Sequence, residues 1–189
     1  MNSDVQRELI PRDATLHLIG ALDDMKAKLL DAAQQWQLLD ETGHVPATPS
    51  YADLLQHAAD AQALSRDVVR VTAAFARAAH STNRAGSAVL AHLAAAATMS
   101  SQATPYFAET AETALSLPRS SSAADRHHRE HRMVIDHATA RAYLRRTSES
   151  LRDAVEELDA HLDFHRFFPT DSRRESPAPA PRRPSARHR

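Results

Sequence analysis

Several kinds of residue are scarce or absent in this chain, and each absence removes a class of function. There is no cysteine, which excludes a disulfide framework and thiolate chemistry. Only three glycines are present, too few for the glycine-rich loops that bind phosphates or dinucleotides. No G-x-S-x-G motif supplies a nucleophilic serine. The sequence therefore predicts a protein that is not an enzyme and uses no cofactor, and the lack of cysteine favours the cytoplasm.

Aromatic residues make up only 5% of the chain, whereas alanine is abundant among its apolar residues. Alanine is the strongest helix former, while β-sheets favour aromatic and β-branched side chains. Long apolar runs are absent as well. The most apolar stretch, residues 89–99, contains His92 and is too short to span a bilayer. We therefore expect an all-α protein that does not insert into a membrane.

What the chain does contain is apolar residues at helical spacing in four segments. These segments predict helices over residues 13–41, 50–81, 85–115 and 124–168, with a kink or restart of the third helix at Pro105. Ser50 is expected to cap the second helix. Four amphipathic helices joined by short loops predict an antiparallel four-helix bundle over residues 13–168.

The fourth predicted helix is the longest, because residues 124–168 contain neither glycine nor proline. Five of its apolar residues fall on one stripe: Leu144, Leu151, Val155, Leu158 and Leu162. We expect this stripe to pack against the first two helices, which offer Leu29, Trp36, Val68 and Phe75. Residues 125–132 are polar on all sides and are expected to project beyond the packed body. The alternative fold is an elongated coiled-coil dimer in which two copies of the long helix pair.

Two terminal segments differ from the helical body. Residues 1–12 are expected to form a flexible lead-in, and residues 169–189, rich in Pro, Ser and Arg, a disordered tail. With six arginines and two acidic residues, Asp171 and Glu175, this tail has a net charge of +4. The net charge of the whole chain is −1, so the remaining residues have a net charge of −5. The candidate partner-binding residues are these arginines: Arg173, Arg174, Arg182, Arg183, Arg187 and Arg189. Their charge suits an acidic protein surface or the phosphates of a nucleic acid.

The clearest local motif is H-x-x-E-H at the start of the fourth predicted helix, formed by His127, Glu130 and His131. One helical turn separates its two imidazoles, and a carboxylate lies beside them. Over residues 127–131 alone, the motif resembles that of inverzincin-type zinc peptidases. A zinc site needs three or four converging ligands, and no third one is available nearby on this helix. The motif therefore makes a metal-binding helical bundle an alternative rather than the leading hypothesis.

The same stretch also has a simpler interpretation as the solvated start of a helix. Two pairs of opposite charge lie four residues apart, Asp125 with Arg129 and Arg126 with Glu130, a spacing that favours ion pairs on a helix. The chain contains twelve histidines, and histidine titrates near pH 6.5. Mild acid could therefore charge the body and loosen the bundle.

Together these features favour a non-enzymatic helical protein that binds another protein through its helix faces, as a scaffold or a regulator. That partner could be a second copy of the chain. A nucleic-acid accessory protein that uses the basic tail is one alternative. The metal-binding bundle is the other.

Overall fold

The structure, a computed structural model, describes residues 10–167, with side chains through residue 163. Four helices make up most of this part: α1 (Arg12–Gln35), α2 (Tyr51–Ala76), α3 (Arg84–Ser116) and α4 (Ala123–Phe167). Short 3-10 turns lie at Ala79–Thr82 and Leu117–Arg119. Residues 10–167 contain no β-strand, so the all-α prediction is confirmed. Within the same residues, no helix combines the length and the apolar character needed to cross a membrane.

The helices pack as an antiparallel bundle in which α4 lies between α1 and α3. The backbone N–H of Ile10, just before α1, donates to Nε2 of His161 near the end of α4, at 3.0 Å. At the other end of α1, the carbonyl of Ala33 accepts a hydrogen bond from Nε of Arg141 at 2.6 Å. Helix α3 packs against α4 along its length, α2 packs mainly against α3, and α1 and α2 meet at few positions. The predicted four-helix bundle is confirmed.

One apolar core runs through the bundle and takes side chains from all four helices. Its fully buried large residues include Leu22, Leu29, Val68, Leu93, Phe107, Leu144, Leu151 and Leu158. A smaller core joins the loop after α1 to the turn between α3 and α4, and consists of Leu38, Leu54, Ala111, Ala114, Leu117 and Met133. Because both cores include residues of α4, the long helix is supported by its own chain along most of its length.

The apolar stripe of α4 lies inside the bundle. Leu151, Val155 and Leu158 are all buried, in the same core as Leu29 and Val68. However, the direct neighbours of α4 are α1 and α3, whereas the sequence led us to expect α1 and α2. Helix α3 takes this place because its small residues allow close approach to α2 on one side and α4 on the other. The apolar stripe of α4 is buried by helices of the same chain, so the elongated coiled coil does not describe this fold.

The end of α1 differs from the prediction, which extended the first helix to residue 41. The helix ends at Gln35, and Trp36 already has an extended backbone. A helix that continued to residue 41 would place Leu39 on the same apolar face as Trp36, whereas in the structure Leu38 is buried and Leu39 is exposed. The physical reason is a tertiary contact: Trp36 leaves the helix and stacks on His57 of α2.

The starts of α2 and α3 are defined by side-chain caps. Oγ of Ser50 accepts a hydrogen bond from the backbone N–H of Asp53 at 3.3 Å, which confirms the predicted cap. Helix α3 is capped by Asn83, whose Oδ1 accepts from the N–H of Gly86 at 2.7 Å. Gly86 is needed at this position because its backbone lies against the carbonyl of His80 in the preceding 3-10 turn.

Helix α3 continues through Pro105, so of the predicted kink or restart at this residue the restart does not occur. Proline has no N–H to donate to the carbonyl of Ser101, four residues earlier. Pro105 and Ser101 both lie on the exposed side of the helix, where water can replace the missing donor. The loss of one solvent-accessible helical hydrogen bond is tolerated because tertiary packing holds the helix on both sides of it.

The packed region begins before the predicted boundary at residue 13. Ile10 is fully buried and bonded to His161, so at least this residue of the expected lead-in belongs to the core. Residues 1–9 of that lead-in and the predicted tail at 169–189 lie outside the described residues.

The first turns of α4 do not project beyond the body, contrary to the prediction. Nη2 of Arg126 donates to the carbonyl of Ala47 at 3.1 Å, and Nη1 of Arg129 to the carbonyl of Ser116 at 3.4 Å. Met133, one turn further on, is fully buried in the smaller core. A polar helix end is thus held against the neighbouring loops by arginines that satisfy backbone carbonyls.

Candidate functional site

The predicted metal motif lies on the first turns of α4. The rings of His127 and His131 have centroids 6.5 Å apart, as one helical turn requires. Oε1 of Glu130 accepts a hydrogen bond from Nε of Arg126 at 2.8 Å, so an ion pair engages this carboxylate. Within the described residues, no group of three His, Cys, Asp or Glu side chains is placed to hold a metal ion. The structure thus brings the two imidazoles together without adding a third ligand.

The alternative interpretation of this stretch is supported by both predicted ion pairs. Nε of Arg129 lies 3.0 Å from Oδ1 of Asp125, and Nε of Arg126 lies 2.8 Å from Glu130. Hydrogen bonding from Arg129, together with the backbone N–H of Ser121, lowers the pKa of Asp125 below its ordinary value. Two ion pairs at i,i+4 spacing therefore stabilise the first turns of α4.

The other predicted site consists of the tail arginines, Arg173, Arg174, Arg182, Arg183, Arg187 and Arg189. All of them lie outside the described residues. Their binding to a protein or to a nucleic acid therefore stays a prediction.

Two histidines that the sequence analysis did not single out lie inside the bundle, where segments from all four helices meet. His137 of α4 is only 2% exposed, and its ring centroid lies 6.0 Å from that of His57 in α2. Trp36, which follows α1, stacks on His57 at 5.0 Å with ring planes inclined by 11°. Phe107 of α3 contacts His137 edge-on at 5.3 Å. We call these four side chains the histidine–aromatic cluster.

The environment of the cluster favours neutral imidazoles. Nδ1 of His57 and Nε2 of His137 are buried and accept or donate no hydrogen bond within the described structure. Burial lowers the pKa of His137 to about 4, with further contributions from His57 and Arg141. Burial also lowers the pKa of His57, while the carboxylates of Asp53 and Asp60 oppose this shift. At neutral pH both rings are therefore uncharged, which suits their aromatic surroundings.

Arg141 connects the cluster to the end of α1. Its Nε donates to the carbonyl of Ala33 at 2.6 Å, and its Nη1 to Oε1 of Gln37 at 3.2 Å. The two accepting residues, Ala33 and Gln37, lie before and after Trp36 in the sequence. The tryptophan is thus held in place where the chain leaves α1, with its ring against His57.

A second buried ionisable group lies next to the cluster in sequence. Oδ2 of Asp136 is 3.4 Å from Nε of Arg132, an ion pair whose geometry does not amount to a hydrogen bond. The same arginine reaches Oε2 of Glu109 on α3 at 3.5 Å. Burial and the nearby charge of Glu109 raise the pKa of Asp136. One arginine shared by two carboxylates thus links α3 to α4 and partly offsets their negative charge.

A groove with a volume of about 520 Å³ lies on the surface between α2 and α3. Its α2 wall consists of Gln62, Ser65, Arg66, Val69, Arg70 and Ala73, and its α3 wall of Ser101, Thr104 and Pro105. Oγ of Ser100 donates to Oγ of Ser65 at 3.2 Å where the two helices approach closely. We call this depression the α2–α3 groove.

Comparison with known proteins identifies no family. No family model, curated protein or solved structure matches the chain. Function must therefore be inferred from the molecule itself, where the α2–α3 groove and the histidine–aromatic cluster are the features that call for an explanation.

The sequence contained a signal for the cluster, although it was weak. His137 continues the stripe of α4 toward the N-terminus, because Met133 lies four residues before it and Leu144 seven residues after it. His57 directly precedes the buried Ala58 on the apolar side of α2. A histidine at a core position of an amphipathic helix can be found from periodicity. Its pairing with a histidine of another helix cannot.

Proposed function

We propose that this protein is a non-enzymatic interaction protein whose α2–α3 groove binds an acidic amphipathic helix of a partner protein. The observation that carries the proposal is the location of this apolar groove beside a helix face without charged side chains. Residues 85–108 of α3 contain no Asp, Glu, Lys or Arg, although 25% of the chain is charged. Part of this stretch is exposed, including Ala91, Ala94, Ala95, Thr98 and Ser101. Small uncharged residues on a helix surface permit a second helix to approach closely.

Helix α2 contributes large apolar side chains to the same surface. Tyr51, Leu55 and Val69 are exposed, and their positions fall on one face of the helix. This face also contains the groove residues Gln62 and Arg66. From Tyr51 to Val69 it extends for roughly 27 Å at the α-helical rise. Apolar anchors at helical spacing are typical of grooves that bind an amphipathic helix.

The charges at the groove favour an acidic partner. Arg66 and Arg70 line the α2 wall, whereas the lining of the α3 wall carries no charge. Arg70 pairs with Asp67 at 2.8 Å, but both side chains remain largely exposed to solvent. A partner helix with carboxylates along one edge would therefore meet a basic rim next to an apolar floor. Such complementarity increases the association rate and gives the binding a dependence on salt.

The proposal is tested by photo-crosslinking in cells from a benzophenone side chain placed at Val69. A matched control places the same group at Leu16 of α1, which is equally exposed: each of these two residues is 48% exposed. We expect Val69, and not Leu16, to crosslink to a discrete protein, with the attachment point in an acidic amphipathic helix. The charge test keeps the benzophenone at Val69 and changes a second position: Ala73→Glu on the α2 wall of the groove should abolish the crosslinked complex, and Leu16→Glu should preserve it.

Three outcomes contradict the proposal. The first is the same set of products from both positions, which would indicate random collisions. The second is a crosslink from Val69 to another copy of the chain, which would make the groove a homodimer interface. The third is a partner segment that is basic, because Arg66 and Arg70 would then repel it.

The other hypotheses from the sequence stay predictions. Nucleic-acid binding through the basic tail concerns residues outside the described structure. A metal-binding bundle would need ligands in addition to His127 and His131. The cytoplasmic location also stays a prediction.

A further inference from the structure

We propose that the histidine–aromatic cluster is an acid-sensitive joint, which loosens the bundle around Trp36, His57 and His137 when His137 takes up a proton. The proposal does not depend on the function of the α2–α3 groove. Its basis is the position of His137, which is 2% exposed and contacts both Phe107 and His57. A neutral imidazole can occupy such a site, whereas an imidazolium needs two acceptors for its two N–H groups.

The two histidines of the cluster differ in how well they tolerate a charge. His57 stacks on the face of Trp36 at 5.0 Å, where a cation is attracted by the ring quadrupole, and it has Asp53 and Asp60 nearby. His137 meets Phe107 with its ring planes inclined by 78°, and Nε2 of His137 has no partner among the described residues. A proton on His57 would further disfavour one on His137, because the ring centroids are only 6.0 Å apart. His137 is therefore the member of the cluster whose protonation the folded state disfavours most.

The groups around the cluster do not supply a counter-charge for His137. The titratable side chains that face it or adjoin it are His57, Asp53 and Asp60 of α2, Glu109 of α3, and Asp136 and Arg141 of α4. The segment after α1 contributes Trp36 and Gln37, which do not titrate. Arg141 adds positive charge, and Glu109 and Asp136 already share Arg132.

The direction and size of the effect follow from proton linkage. Burial lowers the pKa of His137 from 6.5 to about 4, so below pH 6.5 the unfolded chain binds more protons at this residue than the folded chain. Stability is therefore complete above pH 6.5 and is lost as the pH falls toward 4. From His137 alone, the ratio of folded to unfolded protein should decrease about tenfold at pH 5.5 and about eighty-fold at pH 4.5. The raised pKa of Asp136 acts in the opposite direction, so the effect of His137 is best isolated by comparing variants.

The loosening is expected to begin locally, because few other contacts connect α1 with α2. The stack of Trp36 on His57 and the contact of His57 with His137 join the end of α1 to α2 and α4. Separation of these rings would release the segment between α1 and α2 while the contacts of α3 with α4 persist. Regions with few packing contacts are the ones that open first in native proteins.

The first test compares urea unfolding of the wild type, His137→Phe and the control His128→Phe at pH 7.5, 5.5 and 4.5. His128 lies on the same helix and is exposed. Phenylalanine keeps an aromatic ring at position 137 but cannot be protonated. Between pH 7.5 and 4.5, we expect the folded-to-unfolded ratio of the wild type and of His128→Phe to fall about seventy-fold more than that of His137→Phe. Equal losses in all three proteins would overturn the proposal.

The second test uses the wild-type chain and stays decisive even if His137→Phe does not fold. Ring resonances of the histidines are followed by NMR from pH 7.5 to 4.5, and amide exchange is measured at pH 7 and 5. We expect the His137 ring to stay neutral while the protein is folded, and residues 36–60 and 133–141 to lose protection before the rest. A His137 that titrates near pH 6.5 in the folded protein overturns the proposal, as does a uniform loss of protection.

Discussion

Substitution of Gly86 by alanine tests whether the 3-10 turn before α3 is packed as the structure describes. A Cβ added at Gly86 would lie 2.9 Å from the carbonyl carbon of His80 and from Cα of Ser81, and still closer to the His80 oxygen. All of these are backbone atoms, so no side-chain rotation can relieve the contact. The 3-10 turn would have to move away from the start of α3, and with it the ring of His80 that contacts Phe75 at 5.4 Å.

The expected magnitude follows from two opposing effects. Forcing a methyl group into a packed site costs about 1–3 kcal/mol. Alanine recovers part of this cost through its higher helix propensity, which is worth up to about 1 kcal/mol in a helix interior and less in a first turn. We therefore expect Gly86→Ala to lower the free energy of unfolding by about 1–2 kcal/mol. With a urea m-value of about 2 kcal/mol/M, the unfolding midpoint would move down by roughly 0.5–1 M.

Gly20→Ala is the matched control, because it makes the same chemical change within α1. A Cβ at Gly20 meets no atom within 4 Å, so only the propensity term remains. This variant should be more stable than the wild type by about 0.5–1 kcal/mol. Circular dichroism at 222 nm during urea unfolding measures both changes. If Gly86→Ala is as stable as Gly20→Ala, the close packing of the 3-10 turn against α3 is wrong.

Two further predictions concern the long helix. Leu158→Ala should lower the free energy of unfolding in urea by about 2–5 kcal/mol, because it leaves a cavity at a fully buried site. Arg152→Ala, at an exposed site, should change it by no more than about 0.5 kcal/mol. Similar effects of the two variants would contradict the bundle packing. Protein purified without a histidine tag should contain well under one zinc per chain, because His127 and His131 have no third ligand among residues 10–163. Stoichiometric zinc that disappears in the double variant His127→Ala, His131→Ala would show a metal site instead.

The parts of the fold that could be predicted are those that depend on local sequence. The cap at Ser50 needs only a hydroxyl three residues before an available N–H, and the structure contains it. The stripe of Leu144, Leu151 and Leu158 follows from spacing along one helix, and all three residues are fully buried. Both are properties of a single segment, so the sequence of that segment is sufficient.

The features that could not be predicted depend on contacts between segments. Apolar spacing continues through Trp36 to Leu39, but the helix ends because the tryptophan ring finds His57 on another helix. Likewise, the sequence identifies Arg126 only as a polar residue. Its hydrogen bond to the carbonyl of Ala47 depends on the fold, which brings the two segments together. In both cases the deciding partner is distant in sequence.

The candidate site shows the same division. His127 and His131 attracted attention because they are neighbours on one helical turn. His57 and His137 are separated by 80 positions, and their contact exists only after α2 and α4 have packed. The α2–α3 groove is similar: the stretch without charge at residues 85–108 is visible in the sequence, but the arginines beside it belong to another helix.

The pairing of α1 with α4 has a consequence for how the chain folds during synthesis. The hydrogen bond from Arg141 to the carbonyl of Ala33 joins residues 108 positions apart, and the bond from Ile10 to His161 spans 151 positions. At about 5–20 residues per second, a ribosome needs roughly 5–20 s to extend the chain from one member of the Ala33–Arg141 pair to the other. The α2–α3 hairpin can close during this interval, while Leu22 and Leu29 of α1 still lack their partners on α4. Helix α1 is therefore the first to be made and the last to be buried, and during synthesis it is the segment most open to chaperones.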